Sequence, residues 1–598
     1  MTFDISATNR AVHSPSTRTA QFTANDVRDA QHSLSLVPIL ERLEQWQKQD
    51  KGKLGRPAKL SFEPVLVAML LLRAEQSPQL VTEIANVFYQ RLTPEARAVM
   101  GVDHIQDRDT FTETWKTWYF LTSRCFQRLL DLMDGFPARR QIMNARERAY
   151  QYSLRDDETT TIKRARLDWF CNALLEMSFL DLPQSVRDYW QGDVSIDQTK
   201  VPAVSRLGKR KVKRKSGQRY VNEPNDALVM EIDADWYAHR PEFRETGSDS
   251  KKSDFTWGYA ASIAMTVPPD PGAKSDKARL YPALAIAMKL STPVADRLGT
   301  ETVSLLSSIV ERGHVPGRVT ADGAYFAQLL PDDLLLPVRA LGFKPVYKYR
   351  VTDLGKNGTI GGAIQVEGKP YCPCMPKGLV DASILHENGS IDDDIYKARI
   401  AQRKKWEARR KGLPAEDGTY SIYCPALGVA PGVECPLRAL HPKAAKKARP
   451  MAKPPAPHAR DRICTQTSVT VHPNEETRYL QEMHFGSEEF DTVYGWDRSA
   501  IEMLNNVVKD GSREDLENAK LRQTRGLTAA AVFTALALVS SNRRMARSWV
   551  RKNTEREVLN ISPRKKHFTP TGLARYKPRL PMLNDDGTVT LPGDSAAA

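Results

Sequence analysis

The stretch Asp193–Val201, DVSIDQTKV, and the later stretch Arg318–Gly323, RVTADG, decide how the chain is read. Each is a short apolar run bearing an aspartate, Asp197 in the first and Asp322 at the end of the second. Such runs have strand composition. A carboxylate in or beside a buried strand is costly unless a metal or a base partners it. Taken singly, either aspartate also reads as a turn or cap residue, and Asp322-Gly323 is a good turn dipeptide.

Working outward, Trp257–Val267 (WGYAASIAMTV) and Leu280–Leu290 (LYPALAIAMKL) read as further strands. A helix is predicted over Glu301–Arg312 and another strand over Lys344–Tyr349. Strands followed by a helix and two more strands predict an α/β core. Upstream, Leu34 to about Met133 reads almost entirely as helix. Ser77-Pro78 and Thr93-Pro94 have the form of helix starts. Short helices with tight turns suit a DNA-binding helix pair or a plain support domain equally, because docking geometry decides between them. Residues 352–480 break the pattern: they hold five of the seven cysteines and the stretch KKARPMAKPPAPHARDR. They read as an insertion, irregular or β-rich, between parts of the core. Regularity returns in a helix from Tyr494 to about Lys509 and an apolar helix over Ala529–Ser541.

The predicted organisation is a disordered tail (1–33), a helical DNA-binding domain (34–135) and connecting helices (136–190). The first core segment (191–351), the insertion (352–480), the second core segment (481–545) and a basic tail (546–598) follow. A length of 598 residues suits such a multidomain chain. Lys and Arg number 87 against 72 acidic residues, a net charge of +15 that favours a polyanionic partner. Val65–Leu72 and Ala529–Val539 are the longest apolar runs, and both are shorter than the ~20 residues a spanning helix needs. No membrane association is therefore expected. The N-terminal residues lack the apolar run of a secretory signal, which with few cysteines predicts a reducing cytoplasm.

Tyr494, Arg498, Glu502 and Lys509 stand at offsets of 0, 4, 8 and 15. On a helix these fall at about 0°, 40°, 80° and 60°, one face. A carboxylate flanked by Arg and Lys can hold a cation beside a phosphate; the alternative is a solvated face with an Arg–Glu pair. Asp197, Asp322-Gly-Ala-Tyr-Phe326 and Arg498-x3-Glu502-x6-Lys509 together resemble the DDE transposases of bacterial insertion sequences, within the group defined by a YREK signature. The block from LGRPAKLSFEPVLVAMLLL to Thr110-Phe111 is similar to the helical domain that precedes the core in many such enzymes. The family spacing puts its tyrosine three residues before the arginine, where this chain has Gly495; Tyr494 stands one residue earlier.

The resemblance implies an RNase H-like core in which Asp197, Asp322 and Glu502 bind two Mg²⁺ ions. It implies cleavage at the terminal inverted repeats of an element, followed by attack of the exposed 3′-OH on target DNA. Arg498, Lys509 and Tyr494 would contact DNA phosphate. The implied partners are double-stranded DNA, as transposon ends and target, and a second copy of the chain as a homodimer. The implied setting is the bacterial cytoplasm, at the nucleoid when DNA is bound. A silenced DNA-binding descendant and a metal-dependent nuclease without strand transfer are the rival functions. Asp193 is the rival first acid; Gln-Thr after Asp197 is the family-like context.

Three further features have two readings each. The run RLGKRKVKRK at 206–215 is either a solvated loop or a DNA-backbone contact through Lys209, Arg210, Lys211, Lys213, Arg214 and Lys215. Cys372, Cys374, Cys424, Cys435 and Cys464 are either packed thiols or a structural zinc site, with His441, His458 and His472 as substitute ligands. Trp257 and Trp496 either fill the core or stack on unpaired bases. GKNGTIGG at 355–362 lacks the spacing of a phosphate-binding loop and reads as a hairpin.

Overall fold

In the computed structural model, residues 19–51, 58–135, 142–205, 208–213, 220–239, 254–268, 281–293, 298–326, 329–413, 415, 418–472, 479–558, 582–583 and 589–590 are described. Order begins earlier than the polar composition of the first 33 residues predicts. Thr23 and Asp26 form a capping box at the start of helix α1 (Ala24–Ser35), and Val27, Ala30 and Leu34 are buried beneath it. Three small apolar residues at spacings of three and four suffice for a helix when the rest of that face is polar. Residues 1–18 of the expected tail lie outside the described residues.

Helix α2 (Phe62–Ala74) is buried all round, which is why its sequence is apolar without periodicity. Ser77-Pro78 does not start a helix; the chain stays extended to Leu80, and the helix runs Val81–Asn86. Thr93 caps Pro94–Val99 as expected. Helices α3 (Phe111–Asp131) and α4 (Asp157–Leu180) complete the helical region.

The central sheet has six strands: β1 (Val194–Pro202), β2 (Asp235–His239), β3 (Asp254–Thr266), β4 (Ala285–Ser291), β5 (Arg318–Thr320) and β6 (Lys344–Val346). Their order is β2-β3-β1-β5-β6, with β4 also paired to β3. β3 runs antiparallel to β1 and to β4, whereas β5 is parallel to β1 and to β6. Helix α5 (Leu298–Glu311) makes the crossover between β4 and β5. Alternation along β1 divides the sheet into two faces. Val194 and Ile196 join Ile286, Leu305, Ile309 and Val319 in one core. Val201, Ala261 and Ile263 join Ile501 and Leu504 in the other.

Residues 356–471 form two three-stranded sheets with short helices between them. The glycine-rich hairpin joins Lys356–Ile360 to Ala363–Val366, turning at Gly361 and Gly362 with φ of 57° and 83°. Helix α6 (Glu488–Lys509) starts six residues before the predicted Tyr494, with Ser487 as its cap. Helix α7 (Leu527–Val558) continues well past Ser541, through the first part of the expected basic tail. The two long apolar runs, Val65–Leu72 and Ala529–Val539, share one core, where Phe126 stacks on Phe533 at 5.5 Å. That core also takes in the β3 face, so the helical region and the sheet are packed as one body. No helix among the described residues is long and apolar enough to cross a membrane.

Candidate active site

Register brings the two aspartates level. Val194 pairs with Val319 and Ser195 with Thr320 on parallel strands, an offset of 125 positions. The same offset separates Asp197 from Asp322, two positions past the last pair, and the Asp322 charge acts on the Asp197 carboxyl. Asp197 is cross-strand from Ile263, which faces α6. Asp322 leaves the end of β5, and its carbonyl accepts from the Tyr325 N–H at 3.0 Å. Gly323 allows this close turn: a Cβ there would stand 2.9 Å from the Lys348 carbonyl oxygen. Asp322-Gly323 is thus both a turn and a carboxylate at a strand end.

Helix α6 lies over the pair. An Arg498 Nη is 3.8 Å from an Asp197 carboxylate oxygen and 3.7 Å from Glu502, so one guanidinium spans two acids. Asn505 donates from Nδ2 to Asp197 Oδ2 at 3.0 Å. Lys509 is 3.6 Å from Glu517, which Lys200 approaches from β1 at 3.7 Å. Burial raises the Asp197 carboxyl above its ordinary value; Arg498, the Gln198 N–H and Lys509 act against that rise, and the Asp322 charge adds to it. Tyr237 and Tyr325 wall the site. Burial, then the Asp197 charge, pushes the Tyr237 hydroxyl up to about 12 and raises the Tyr325 hydroxyl well above its ordinary value. The Tyr325 hydroxyl is buried without a hydrogen-bond partner among the described residues.

The rotation of α6 is set by a residue that the sequence reading passed over. Asp497 is fully buried, accepts from Thr320 Oγ1 at 2.6 Å and lies 3.5 Å from Arg318. Arg318 also makes a 2.8 Å ion pair with Asp193, so two carboxylates share one guanidinium. Arg318 is thereby held charged, and Asp497 bears the cost of burial: its carboxyl is pushed up to about 6, with Arg318 opposing and Asp193 adding. A folded-state value above the ordinary 3.8 means the folded protein keeps this proton longer than the unfolded chain. Its contribution to stability is therefore full below about pH 4 and lost as pH rises through about 6. Denaturation of wild type and Asp497→Asn at several pH values is expected to show this: the stability of wild type relative to the variant falls between those limits and then levels.

The remaining predicted residues are placed as follows. Tyr494 stacks on Phe490 at 5.5 Å with the Lys348 ammonium 5.2 Å from its ring, one turn of α6 before Arg498. Trp496 is committed to the core, donating from Nε1 to the Pro268 carbonyl at 2.9 Å. Trp257 meets the half-exposed Trp236 edge-on at 5.5 Å. Lys209, Arg210, Lys211 and Lys213 lie on the strand Gly208–Lys213, paired with Tyr220–Leu228; Arg214 and Lys215 lie outside the described residues. Cys372, Cys424 and Cys464 are buried in one small core, with Cys374 and Cys435 packed against it. Among the described residues no three His, Cys, Asp or Glu side chains are gathered closely enough to hold a metal ion. Glu502 stands apart from the aspartates, its side chain 63% exposed.

Sequence reasoning missed Asn505, though the signal was there: seven residues after Arg498, it falls on the same helical face at about 20°. No family model, curated protein or solved structure matches the chain. The class that fold and site define is a multidomain protein with a helical N-terminal region and a mixed sheet, two level carboxylates facing a helix that carries a third.

Proposed function

We propose that this chain is a DDE-type transposase, cutting DNA at the ends of an insertion sequence and joining them to target DNA. The observation that carries the reading is the level placement of Asp197 and Asp322 beneath the helix face bearing Arg498, Glu502 and Lys509. The mixed six-stranded sheet, with β2, β1 and β4 antiparallel to β3 and with β5 parallel to β1 and β6, is consistent with the α/β core this reading requires. On this reading the segment between β6 and α6 would be the insertion.

The donors suit Mg²⁺, a hard cation that takes carboxylate oxygens. Asp197 and Asp322 would hold it, joined by Glu502 only after that exposed side chain turned toward them, and the positive charge of Arg498 between Asp197 and Glu502 marks where compensation is needed. Two bound Mg²⁺ ions would supply an activated attacking oxygen and stabilise the leaving one. Asn505 orients the Asp197 carboxylate. Arg498 and Lys509 would take the phosphate flanking the cut, Arg498 bidentately. The basic strand Gly208–Lys213, which follows β1, would track the DNA backbone in a salt-sensitive way. Homodimerisation on two DNA ends, DNA binding by the helical region and residence at the nucleoid belong to the same reading.

The test is incubation of the purified chain with DNA carrying the native flanks of its gene and Mg²⁺. Nicked ends and joined products support the transposase. Cutting without joining makes it a nuclease, and binding without cutting in Mg²⁺ or Mn²⁺ makes it a silent DNA-binding protein. A structural zinc in the insertion is a separate proposal resting on its five thiols. About one zinc per chain by elemental analysis supports it, and a folded zinc-free protein removes it.

A further inference from the structure

A second charged cluster lies where the C-terminal end of α2, the connector 510–526 and α7 meet. Arg73 stands in the last turn of α2, Arg522 in the connector and Arg544 on α7, and Arg73 and Arg522 are buried. Arg544 takes both oxygens of the buried Glu514, at 2.5 and 2.7 Å, and Ser540 Oγ lies 3.1 Å from Glu514 and 3.1 Å from the Arg73 carbonyl. The other acids acting on Arg522 are engaged elsewhere. Glu231 accepts from Ser205, Tyr259 and the Gly526 N–H, and Asp515 accepts from Asn518. Arg522 itself donates to the Leu516 and Pro202 carbonyls. Arg73 Nε and Nη2 and Arg544 Nη2 are buried and meet no hydrogen-bond acceptor among the described residues. Buried donors of this kind are nearly always bonded, and like charges gathered around one carboxylate repel strongly where water does not screen them. The side chains register the excess: burial and then the Arg73 charge push Arg522 down to about 10, and burial lowers Arg73, with Glu514 opposing and Arg544 adding.

We propose that Arg73, Arg522 and Arg544 form a binding site for a small inorganic anion, chloride or phosphate, at the joint of α2, the connector and α7. An anion there accepts from the three unbonded nitrogens and offsets the surplus positive charge. Those nitrogens are shut off from solvent, which suits an ion enclosed by the fold and excludes the backbone of a nucleic acid lying on the surface. The connector also carries Glu517, which meets Lys509 at 3.6 Å and Lys200 at 3.7 Å. An anion that fixes the connector therefore steadies the lysine end of α6 as well. The inference does not depend on the reading of Asp197 and Asp322.

The experiment titrates chloride into the full chain at constant ionic strength, with gluconate as the balancing anion, and reads the chloride resonance line width and the melting curve. Wild type is compared with Arg73→Met and Arg544→Gln. Wild type is expected to broaden the chloride line saturably, Arg73→Met to abolish that broadening and Arg544→Gln to weaken binding several-fold. The wild-type melting midpoint is expected to rise by about 2 °C from chloride-poor to chloride-rich buffer, as for a ligand near a hundredfold its Kd, and that of Arg73→Met to stay put. In chloride-poor buffer Arg73→Met melts no lower than wild type, because methionine removes a buried, unpaired charge. A purely structural role for Arg73 would instead lower the midpoint by the same amount at every chloride concentration, and that result overturns the site. So does broadening that both variants keep, or its absence from wild type. If Arg73→Met does not fold, Arg544→Gln decides alone. Displacement of chloride by inorganic phosphate assigns both ions to the site, and failure to displace assigns chloride. Displacement by a short DNA duplex but not by phosphate overturns the small-ion assignment.

Discussion

Asp197→Asn is expected to lower Mg²⁺-dependent DNA cleavage by about a thousandfold or more while leaving the protein at least as stable as wild type. The loss follows from removing one of the carboxylates that would stabilise charge on both sides of the phosphorus, the kind of preorganised term whose removal costs about 10²–10³ or more. The stability follows from the opposite sign. Burial raises the Asp197 carboxyl, so its ionised form is strained in the folded state, and a neutral amide of the same shape relieves that. Asn505 can still meet the new side chain through its Oδ1. Gel-resolved cleavage of end DNA together with a melting curve reads both effects. A variant that cuts at wild-type rate would remove Asp197 from the chemistry.

Asp193→Ala is expected to do the reverse, costing about 3–5 kcal/mol of stability, the usual result of stripping one partner from a buried ion pair. Asp193 accepts from the Arg318 backbone N–H at 2.7 Å and pairs with its guanidinium at 2.8 Å, both groups buried. Without it Arg318 leans on Asp497 alone, at 3.5 Å. Gly317 lies so close that a Cβ there would stand 2.5 Å from an Asp193 oxygen, so the carboxylate is tightly enclosed. Urea denaturation measures the drop, as a fall in the midpoint of the transition involving the sheet. Any activity lost by this variant would track unfolding. Restored cutting at low temperature would separate it from Asp197→Asn.

The contrast between these aspartates, four residues apart, marks how far the sequence carries. Both sit in the same apolar run, and neither spacing nor composition separates an ion-pair anchor from a site carboxylate. Context after Asp197 favoured it; the pairing of Asp193 with Arg318, 125 positions away, is a tertiary fact. The capped helix α1 was hidden for another reason, because its polar residues outnumber its three buried apolar ones. The early start of α6 was hidden because Phe490 and Val493 point into a small core that only the fold assembles.

By itself the sequence determined the strands around both aspartates, the helical phase that puts Arg498, Glu502 and Lys509 on one face, and the basic balance. These are local or additive properties: backbone periodicity and summed charge need no long-range contact. It also carried the number 125, without saying that this is a strand register. Only the tertiary structure decided that Val194 pairs with Val319, that α6 is turned by Asp497 so that Arg498 meets Asp197, and that Asn505 holds that carboxylate. Such facts depend on which distant segments exclude water together, and burial is a property of the assembled core rather than of any stretch of chain.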